Sequence, residues 1–409
     1  MKTAFGRSAK LYLTATIFTG IAFSFWELFF NIYMISSGVG KDTLGLIRSI
    51  SALMALPLGL PLGKLADRIG YRKSLIMGLG IAFIGMTMQV ILKAPALIIL
   101  MAAVQGTGLM LYHVAASPFI MKSSTPENRA VFFSLTYSMT TLAGMVGNLV
   151  AGQLPGLAAR ILGQNIGASA YRLVILTGIF LGLLCLIPLS LIKKENLIQP
   201  KEAFPPSPIL SLKKLFSNRF VSLLFIRNVM VGLGAALLIP YLNVFFREEH
   251  KLSDQSLGLL FALSSFLVII GTTLAPWLAR KMHSKINTVN ITQIISIAFM
   301  LVLGFSPLLW LAQIGYLMRT VFMQLSSPLL DNFNMEASPP GQQSTVAGLK
   351  WIGWQIGQAI GLYVSGLVQV RYGFTPLFIA TSILYLASIF LAHKHFRPIE
   401  KELALSRGK

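Results

Sequence analysis

Two charged residues lie inside apolar stretches of the sequence, where they could bind and release a proton. Glu27 lies in the apolar stretch of residues 11–34, and Arg48 lies in that of residues 43–63. Burial favours the neutral form of a carboxylic acid, whereas a neighbouring guanidinium favours its charged form. The two residues are therefore predicted to form a pair that exchanges a proton when its surroundings change. A permanent ion pair with a purely structural role is the alternative interpretation.

Other polar and aromatic side chains in apolar stretches could line a cavity for a small molecule. His113 could relay protons or bind a ligand as a neutral imidazole, and a hydrogen-bonded structural histidine is the alternative. Arg319 lies near the middle of its stretch, so it is expected to face the protein interior. The remaining candidates in the N-terminal part of the chain are Trp26, Asn31 and Tyr112.

A helix predicted over residues 343–370 carries a face of aromatic and amide side chains. These side chains are Trp351, Trp354, Gln355 and Gln358. Helical spacing places them within about 100° of one another. Such a face suits an amphipathic ligand, which could stack on the rings or form cation–π contacts, whereas core packing of the two tryptophans is the alternative. Glycines recur on a different face, at Gly353, Gly357 and Gly361, and predict close packing against another helix.

The composition indicates that these residues are held by membrane-spanning helices. Of the 409 residues, 55% are hydrophobic and only 11% are charged, whereas soluble domains contain about 25% charged residues. A membrane-spanning helix needs about 20 predominantly apolar residues. Such stretches occur at 11–34, 43–63, 74–93, 95–120, 130–154, 169–192, 218–246, 253–279, 287–306, 308–330, 343–370 and 373–393. The sequence therefore predicts twelve transmembrane helices in a multi-pass protein of the lipid bilayer.

Basic residues set the predicted orientation of these helices. Most of the 34 Lys and Arg residues fall in the terminal segments and in the even-numbered loops. Because basic loops stay on the cytoplasmic side, both termini are expected to be cytoplasmic, in a bacterial plasma membrane. The same bias accounts for the net charge of +21, so no nucleic-acid partner is predicted. The N-terminal stretch is expected to be a first spanning helix and not a removable signal.

A segment rich in proline and lysine divides the sequence in two. Residues 193–217 are predicted to form a cytoplasmic linker between a six-helix bundle of residues 1–192 and a second one of residues 218–409, which ends in a short cytoplasmic tail. The halves echo each other, since Lys41–Gly45 aligns with Asp254–Gly258. Such symmetry is typical of transporters that hold a ligand between duplicated halves. The predicted fold is an all-α membrane protein with two pseudo-symmetric halves.

The sequence lacks the motifs of common enzyme sites. It contains no P-loop, no H-E-x-x-H and no G-x-S-x-G. Its single cysteine, Cys185, excludes a disulfide framework and a cysteine metal site. No enzyme activity, no cofactor and no bound metal are therefore predicted, and the expected state is a monomer.

The loop between the second and third apolar stretches carries the most specific motif. Its sequence from Gly63 to Lys73 is GKLADRIGYRK. This closely resembles the signature loop of the major facilitator superfamily, G-x-x-x-D-[RK]-x-G-x-[RK]-[RK]. The matching residues are Gly63, Asp67, Arg68, Gly70, Arg72 and Lys73. The two glycines are expected to permit a tight turn through close approach and positive φ.

The resemblance implies a transport cycle by alternating access, as in the twelve-span drug and organic-compound exporters of the superfamily. It also implies that Asp67 forms a conformational latch on the cytoplasmic side, with Arg129 as a further partner. Simple anchoring at the membrane interface is the alternative for both residues. Proton-moving members often carry an arginine three residues before a Gln-Gly pair, but Ala102 takes that place before Gln105. Proton coupling is therefore expected to depend on other groups, of which Glu27 is the first candidate.

The predicted function is secondary active transport of a small organic solute. The first prediction is proton-coupled efflux of amphipathic compounds, with the proton as the coupling ion. The alternative is a uniporter or exchanger of organic anions that uses the intramembrane arginines, because Arg48, Arg227 and Arg319 outnumber the carboxylates in the apolar stretches. A membrane receptor that does not transport is a remote alternative.

Overall fold

The computed structural model describes residues 5–125, 128–193, 216–339 and 342–407, and it is helical without strands in these ranges. The helices are α1 Arg7–Ser36, α2 Lys41–Leu53, α3 Ala55–Ile69, α4 Tyr71–Ile91, α5 Pro95–Lys122, α6 Arg129–Ile161, α7 Ala168–Leu183, α8 Leu186–Ser190, α9 Arg219–Leu238, α10 Leu242–Glu248, α11 Asp254–Lys281, α12 Lys285–Phe305, α13 Leu309–Ala337, α14 Gln343–Tyr372 and α15 Thr375–Arg407. A 3₁₀ turn at Ile239–Tyr241 joins α9 to α10.

Most of these helices are long and apolar enough to cross a membrane. Within the described residues nine spans satisfy this condition, two of which join α7 to α8 and α9 to α10, or ten spans if the bent pair α2 and α3 is one more. The long helices α13 and α14 do not satisfy it. Their polar residues explain this, since α13 contains Arg319 and Asp331 and α14 contains Lys350. A multi-pass helical membrane protein is confirmed, and the count of twelve spans stays a prediction.

The chain forms two compact units. The first comprises Met1–Gln199 and Tyr241–Ser265, and the second comprises Pro200–Pro240 and Phe266–Lys409. The segment Tyr241–Ser265, which contains α10 and the start of α11, is thus grouped with the N-terminal helices. Most of the linker predicted at residues 193–217 lies outside the described residues, so the predicted boundary between the two halves stays a prediction.

In the first unit, glycines allow two neighbouring helices to pack closely. A Cβ atom added to Gly78 or Gly85 of α4 would meet backbone atoms of α5, and one added to Gly108 of α5 would meet backbone atoms of α4. Close backbone approach through small residues is a common way for membrane helices to associate. It brings Gln89 Nε2 to 2.7 Å from Gln105 Oε1, so one buried amide donates to the other.

In the second unit, the glycine face of α14 packs against α9. A Cβ atom added to Gly357 would meet backbone atoms of Val229 and Leu233, and one added to Gly361 would meet Leu233 and Ala236. The close packing predicted from the glycine spacing is therefore found. Gln358 donates a hydrogen bond of 3.0 Å to the carbonyl oxygen of Gly232 at the same contact. This helix pair fixes which residues of α14 face away from α9.

Candidate transport site

Glu27 and Arg48 form an ion pair between α1 and α2. Arg48 Nη1 lies 2.9 Å from Glu27 Oε1 and 3.0 Å from Glu27 Oε2. The Arg48 side chain is 12% exposed, whereas that of Glu27 is 52% exposed. The guanidinium also lies 5.3 Å from the ring centre of Phe30, which stacks on Trp26 at 4.0 Å. Arg48 is thus held in place by its surroundings, while the carboxylate stays accessible.

A chain of side-chain amides continues from this ion pair. Arg48 Nε donates to Asn31 Oδ1 at 3.0 Å, and Asn31 Nδ2 donates to Asn243 Oδ1 at 3.2 Å. Asn243 Nδ2 in turn donates to the carbonyl oxygens of Leu28 and Glu27 at 2.9 and 3.2 Å. Both asparagines are buried. The network therefore connects the ion pair to the segment Tyr241–Ser265.

A second ionic cluster holds the same segment in the first unit. Arg247 donates to Asp254 Oδ1 at 3.0 Å and to the Tyr171 hydroxyl at 2.8 Å, and this hydroxyl donates to Asp254 at 3.1 Å. Lys41 Nζ lies 2.5 Å from Glu248 Oε2. The sequence alone does not identify this cluster, because its residues lie at the ends of apolar stretches where charges are common.

His250, in the loop after α10, adds no strong charge to this cluster. Its ring lies 5.4 Å from that of Phe245. Burial lowers the pKa of His250, although the neighbouring Glu249 opposes this shift. Its imidazole is therefore mainly neutral at pH 7, and the positive charge beside Asp254 comes from Arg247.

The second unit contains a cavity of about 660 Å³. Helices α9, α12, α13, α14 and α15 contribute to its wall. The charged lining residues are Arg227, Arg319, Asp331 and Lys350, and the aromatic ones are Tyr316, Trp351, Trp354 and Tyr385. Lys350 of α14 forms an ion pair with Asp331 of α13 in this wall. Arg319, Trp351 and Trp354 line this cavity, and their role in binding a solute stays a prediction.

The two arginines of this cavity have only neutral hydrogen-bond partners. Arg227 is 1% exposed, and its Nη2 lies 3.3 Å from Gln293 Oε1. Arg319 is 4% exposed, and its Nη2 lies 3.1 Å from the Tyr385 hydroxyl. The Nε atoms of both are buried without a hydrogen-bond partner. Within the described residues no carboxylate oxygen lies within 4 Å of either guanidinium, since Asp331 pairs with Lys350.

Other predicted cavity residues lie elsewhere. Gln358 is used in the packing of α14 on α9, and Gln355 is not among the residues that line the cavity of the second unit. Trp26 is buried and stacked on Phe30, which fits core packing. Tyr112 lies on α5 with its hydroxyl 3.4 Å from that of Tyr12, and its ring packs against His113 at 5.5 Å. The roles predicted for these residues stay predictions.

The signature loop forms the tight connection between α3 and α4. Gly70 has φ of 88°, as the sequence predicts for one of the two glycines. Gly63, by contrast, lies inside α3, and a Cβ atom added there would meet nothing within 4 Å. The close approach expected at Gly63 is therefore not found, because the helix continues through it to Ile69.

The predicted latch residues have local partners in this structure. Asp67 Oδ1 accepts a hydrogen bond of 2.9 Å from the Tyr71 hydroxyl. Arg72 donates to the carbonyl oxygens of Leu189 and Ser190 at the end of α8. Among the described side chains no ion pair within 4 Å joins Asp67 to Arg129, whose Nε is buried without a partner. The latch itself stays a prediction.

Comparison with known proteins decides the family. A family model described as the Major Facilitator Superfamily matches residues 12–362 and 229–408. The chain belongs to this superfamily. It is a multi-pass membrane protein of this superfamily.

Two amine transporters are similar to this chain in sequence. The human synaptic vesicular amine transporter is 25% identical over 240 residues, which are 58% of this chain and 44% of that protein. The rat chromaffin granule amine transporter is 26% identical over 241 residues, which are 58% of this chain and 43% of that protein. The match thus spans less than half the length of these relatives.

Solved structures support the fold of this superfamily member. The nucleoside transporter NupG has a TM-score of 0.74 at 14% identity, over 95% of this chain and 98% of that one. A bacterial homolog of the human lysosomal transporter Spinster, inward-facing and unoccupied, has a TM-score of 0.73 at 16% identity, over 97% and 95% of the two chains. At these identities the likeness concerns the fold alone.

Proposed function

We propose that this superfamily member is a proton-coupled secondary transporter that exports small amphipathic organic solutes, with Glu27 as the proton-binding group. The observation that carries the proposal is the ion pair of Glu27 with Arg48, two charged residues of apolar helices joined at 2.9 Å. A carboxylate in such a position is costly unless it has a function or a partner. Here Glu27 has a partner, Arg48, and protonation of Glu27 would break this ion pair.

The exposure of the two side chains suits this role. Glu27 is half-exposed and can exchange a proton, whereas Arg48 is nearly buried and fixed by Asn31. Protonation of Glu27 removes the negative charge and leaves the guanidinium without its ionic partner. Its Nη2 atom is already buried without a hydrogen bond. The protonated state therefore favours movement of Arg48.

Movement of Arg48 would be transmitted to the rest of the first unit through hydrogen bonds. It acts on Asn31, which donates to Asn243, and Asn243 is bonded to the backbone of α1. The proton thereby changes how firmly the segment Tyr241–Ser265 is held. A ligand can shift a conformational equilibrium only through such a difference between states.

The cavity of the second unit supports an organic solute. Its volume of about 660 Å³ lies within the range of about 300–1,000 Å³ that is usual for small-molecule sites. Trp351 and Trp354 provide large flat apolar surfaces in its wall. The relatives named as amine transporters support a small organic solute as cargo. Export is proposed because the chain resembles the drug exporters of the superfamily.

A second candidate function is uniport or exchange of organic anions without a coupled proton. Arg227 and Arg319 favour it, because neither has a carboxylate partner among the described residues. In this case the Glu27 and Arg48 pair is a permanent structural bridge between α1 and α2.

Transport in reconstituted vesicles separates the two candidates. The probes are ethidium as an amphipathic cation, N-dansylglycine as an anion and N-dansylglycinamide as its neutral counterpart, each with inward, outward and no pH gradient. We expect the wild type to accumulate at least one probe only when a pH gradient is imposed, with the probe and the protons moving in opposite directions. Glu27→Gln should lose this accumulation. Glu336→Gln, which removes an ion pair of the second unit with Lys285, should keep it. Wild-type transport that ignores the gradient would support the second candidate instead.

A further inference from the structure

We infer that Arg227 and Arg319 form an anion-binding site in the cavity of the second unit, which takes the carboxylate or phosphate group of an amphipathic solute. The inference deepens the proposed function, on which it rests only in taking this cavity as the place of the solute. It does not depend on proton coupling.

The burial of the two guanidinium groups is the first argument. Both side chains are more than nine-tenths buried, and a buried charge is costly unless it is paired and fully hydrogen-bonded. Each makes a single hydrogen bond to a neutral acceptor, Gln293 or Tyr385, and each leaves its Nε atom without a partner. An anion in the cavity would supply the missing charge and accept the unused hydrogen bonds.

The charge balance of the wall is the second argument. Asp331 is the acidic residue among the side chains that line the cavity, and it is already paired with Lys350. The lining therefore has three positive side chains, Arg227, Arg319 and Lys350, against this one carboxylate, although Asp331 also attracts Arg227 electrostatically. Guanidinium groups match carboxylate and phosphate oxygens through two parallel hydrogen bonds. The electrostatics thus select an anion and oppose a cation.

Neighbouring polar groups define where the anion would lie. Gln293 is held by Ser326 at 3.1 Å while its oxygen accepts from Arg227, so its orientation is fixed. Asn334 also lines the cavity and is 5% exposed, and both its side-chain polar atoms are buried without a partner. It lies about 22 Å along α13 from Arg319, at 1.5 Å per residue, so it belongs to another part of the cavity. The polar end of the site is therefore formed by α9, α12 and α13.

Helix α14 provides the apolar part of the site. Trp351 and Trp354 line the same cavity and offer ring faces to an apolar group. A solute that satisfies both parts carries a carboxylate or phosphate at one end and an aromatic or aliphatic body at the other.

The test compares the binding of two probes that differ by one charge. N-dansylglycine carries a carboxylate, and N-dansylglycinamide has a neutral amide in its place. Titrations of purified protein in a neutral detergent, followed by dansyl fluorescence, should show that the acid binds at least tenfold more tightly than the amide. A ratio of affinities near one in the wild type would overturn the inference.

Substitutions assign the preference to the two arginines. Because a hydrogen bond to a charged group contributes about a tenfold to hundredfold effect on affinity, Arg227→Gln and Arg319→Gln should each weaken binding of the acid by that factor. Binding of the amide should change by less than about threefold, since it lacks the charge. Arg280→Gln, at an exposed arginine of the second unit that does not line the cavity, is the matched control. An unchanged ratio in both cavity variants would overturn the assignment.

Two further measurements keep the outcome interpretable. Arg319→Lys retains the charge, so it should keep a preference for the acid even if a glutamine variant fails to fold. Nanodiscs with and without phosphatidylglycerol distinguish a soluble solute from a lipid headgroup. We expect the same affinity for the acid in both, and loss of binding in the anionic discs would overturn the assignment to a soluble solute.

The result is separable from that of the proposed function. Glu27→Gln should bind the acid with the wild-type preference although it loses gradient-driven transport. A wild type that couples to protons but binds acid and amide equally would refute this inference alone. A strong preference for the acid without any coupling would refute the proposed function alone.

Discussion

Arg48 in the first unit and Arg319 in the second are both largely buried arginines, but their charges are balanced in different ways. Arg48 has the carboxylate of Glu27 at 2.9 Å, whereas Arg319 has the neutral hydroxyl of Tyr385 at 3.1 Å. A charge balanced by a carboxylate of the protein can be unbalanced by a proton. A charge without such a carboxylate can be balanced by the anionic group of a bound solute. We therefore propose coupling for the first unit and solute binding for the second.

Reversing the charge in the second unit should have the largest effect. Arg319→Glu places a carboxylate where the account requires an anion to bind, so binding of N-dansylglycine should fall by at least about a hundredfold. Binding of ethidium should rise in the same variant. Equilibrium titrations measure both, and a thermal unfolding scan checks that the variant is folded. Retained binding of the acid would remove Arg319 from the site.

The cluster around Asp254 tests how much a buried carboxylate stabilises the first unit. Asp254 is 6% exposed and accepts from both Arg247 and Tyr171. Asp254→Asn should therefore lower the free energy of unfolding by about 1–3 kcal/mol, because charge-assisted hydrogen bonds are lost. Glu248→Gln, in the more exposed pair with Lys41, should cost less than about 1 kcal/mol. Equal costs in denaturant titrations would contradict this ranking.

A double-mutant cycle measures the coupling of Glu27 to Arg48 directly. Since the Glu27 side chain is 52% exposed, solvent screens the pair, and a coupling free energy of about 0.5–1 kcal/mol is expected. The variants are Glu27→Gln, Arg48→Gln and the combination, compared by thermal unfolding. Much stronger coupling would favour a permanent bridge over a pair that a proton can open.

The smallest effect is expected at the signature loop. Asp67→Asn should leave the protein folded but slow transport by up to about fivefold, because the loss of one partly exposed charge contact costs about 0.2–1 kcal/mol. Tyr71→Phe removes the hydroxyl bonded to Asp67 without changing the charge. If Tyr71→Phe slows transport equally, the local hydrogen bond explains the effect and the latch is refuted.

The sequence predicts single helices better than contacts between them. Glu27 and Arg48 could be paired because both interrupt apolar stretches that are neighbours in the chain. Asn243 could not be connected to Asn31, because nothing in either stretch specifies a contact over 212 positions. The glycine spacing of α14 predicted close packing, and that packing explains why Gln358 contacts α9.

The faces that helices present to a cavity were only partly predictable. Trp351 and Trp354 share a face in the sequence and line the cavity together. Arg227 was counted as a charge within an apolar stretch, but the periodicity of α9 does not tell which neighbours it meets. Its place beside Gln293 of α12 depends on how the helices of the second unit pack together, which is a tertiary property.

The most direct test compares Glu27→Gln and Arg319→Gln in one experiment on N-dansylglycine. Equilibrium binding and accumulation driven by a pH gradient are measured on the same reconstituted preparations. The account predicts that Glu27→Gln binds the probe like the wild type but does not accumulate it, and that Arg319→Gln loses binding itself. If both variants lose the same property to the same extent, the division of roles between the two arginine sites is contradicted.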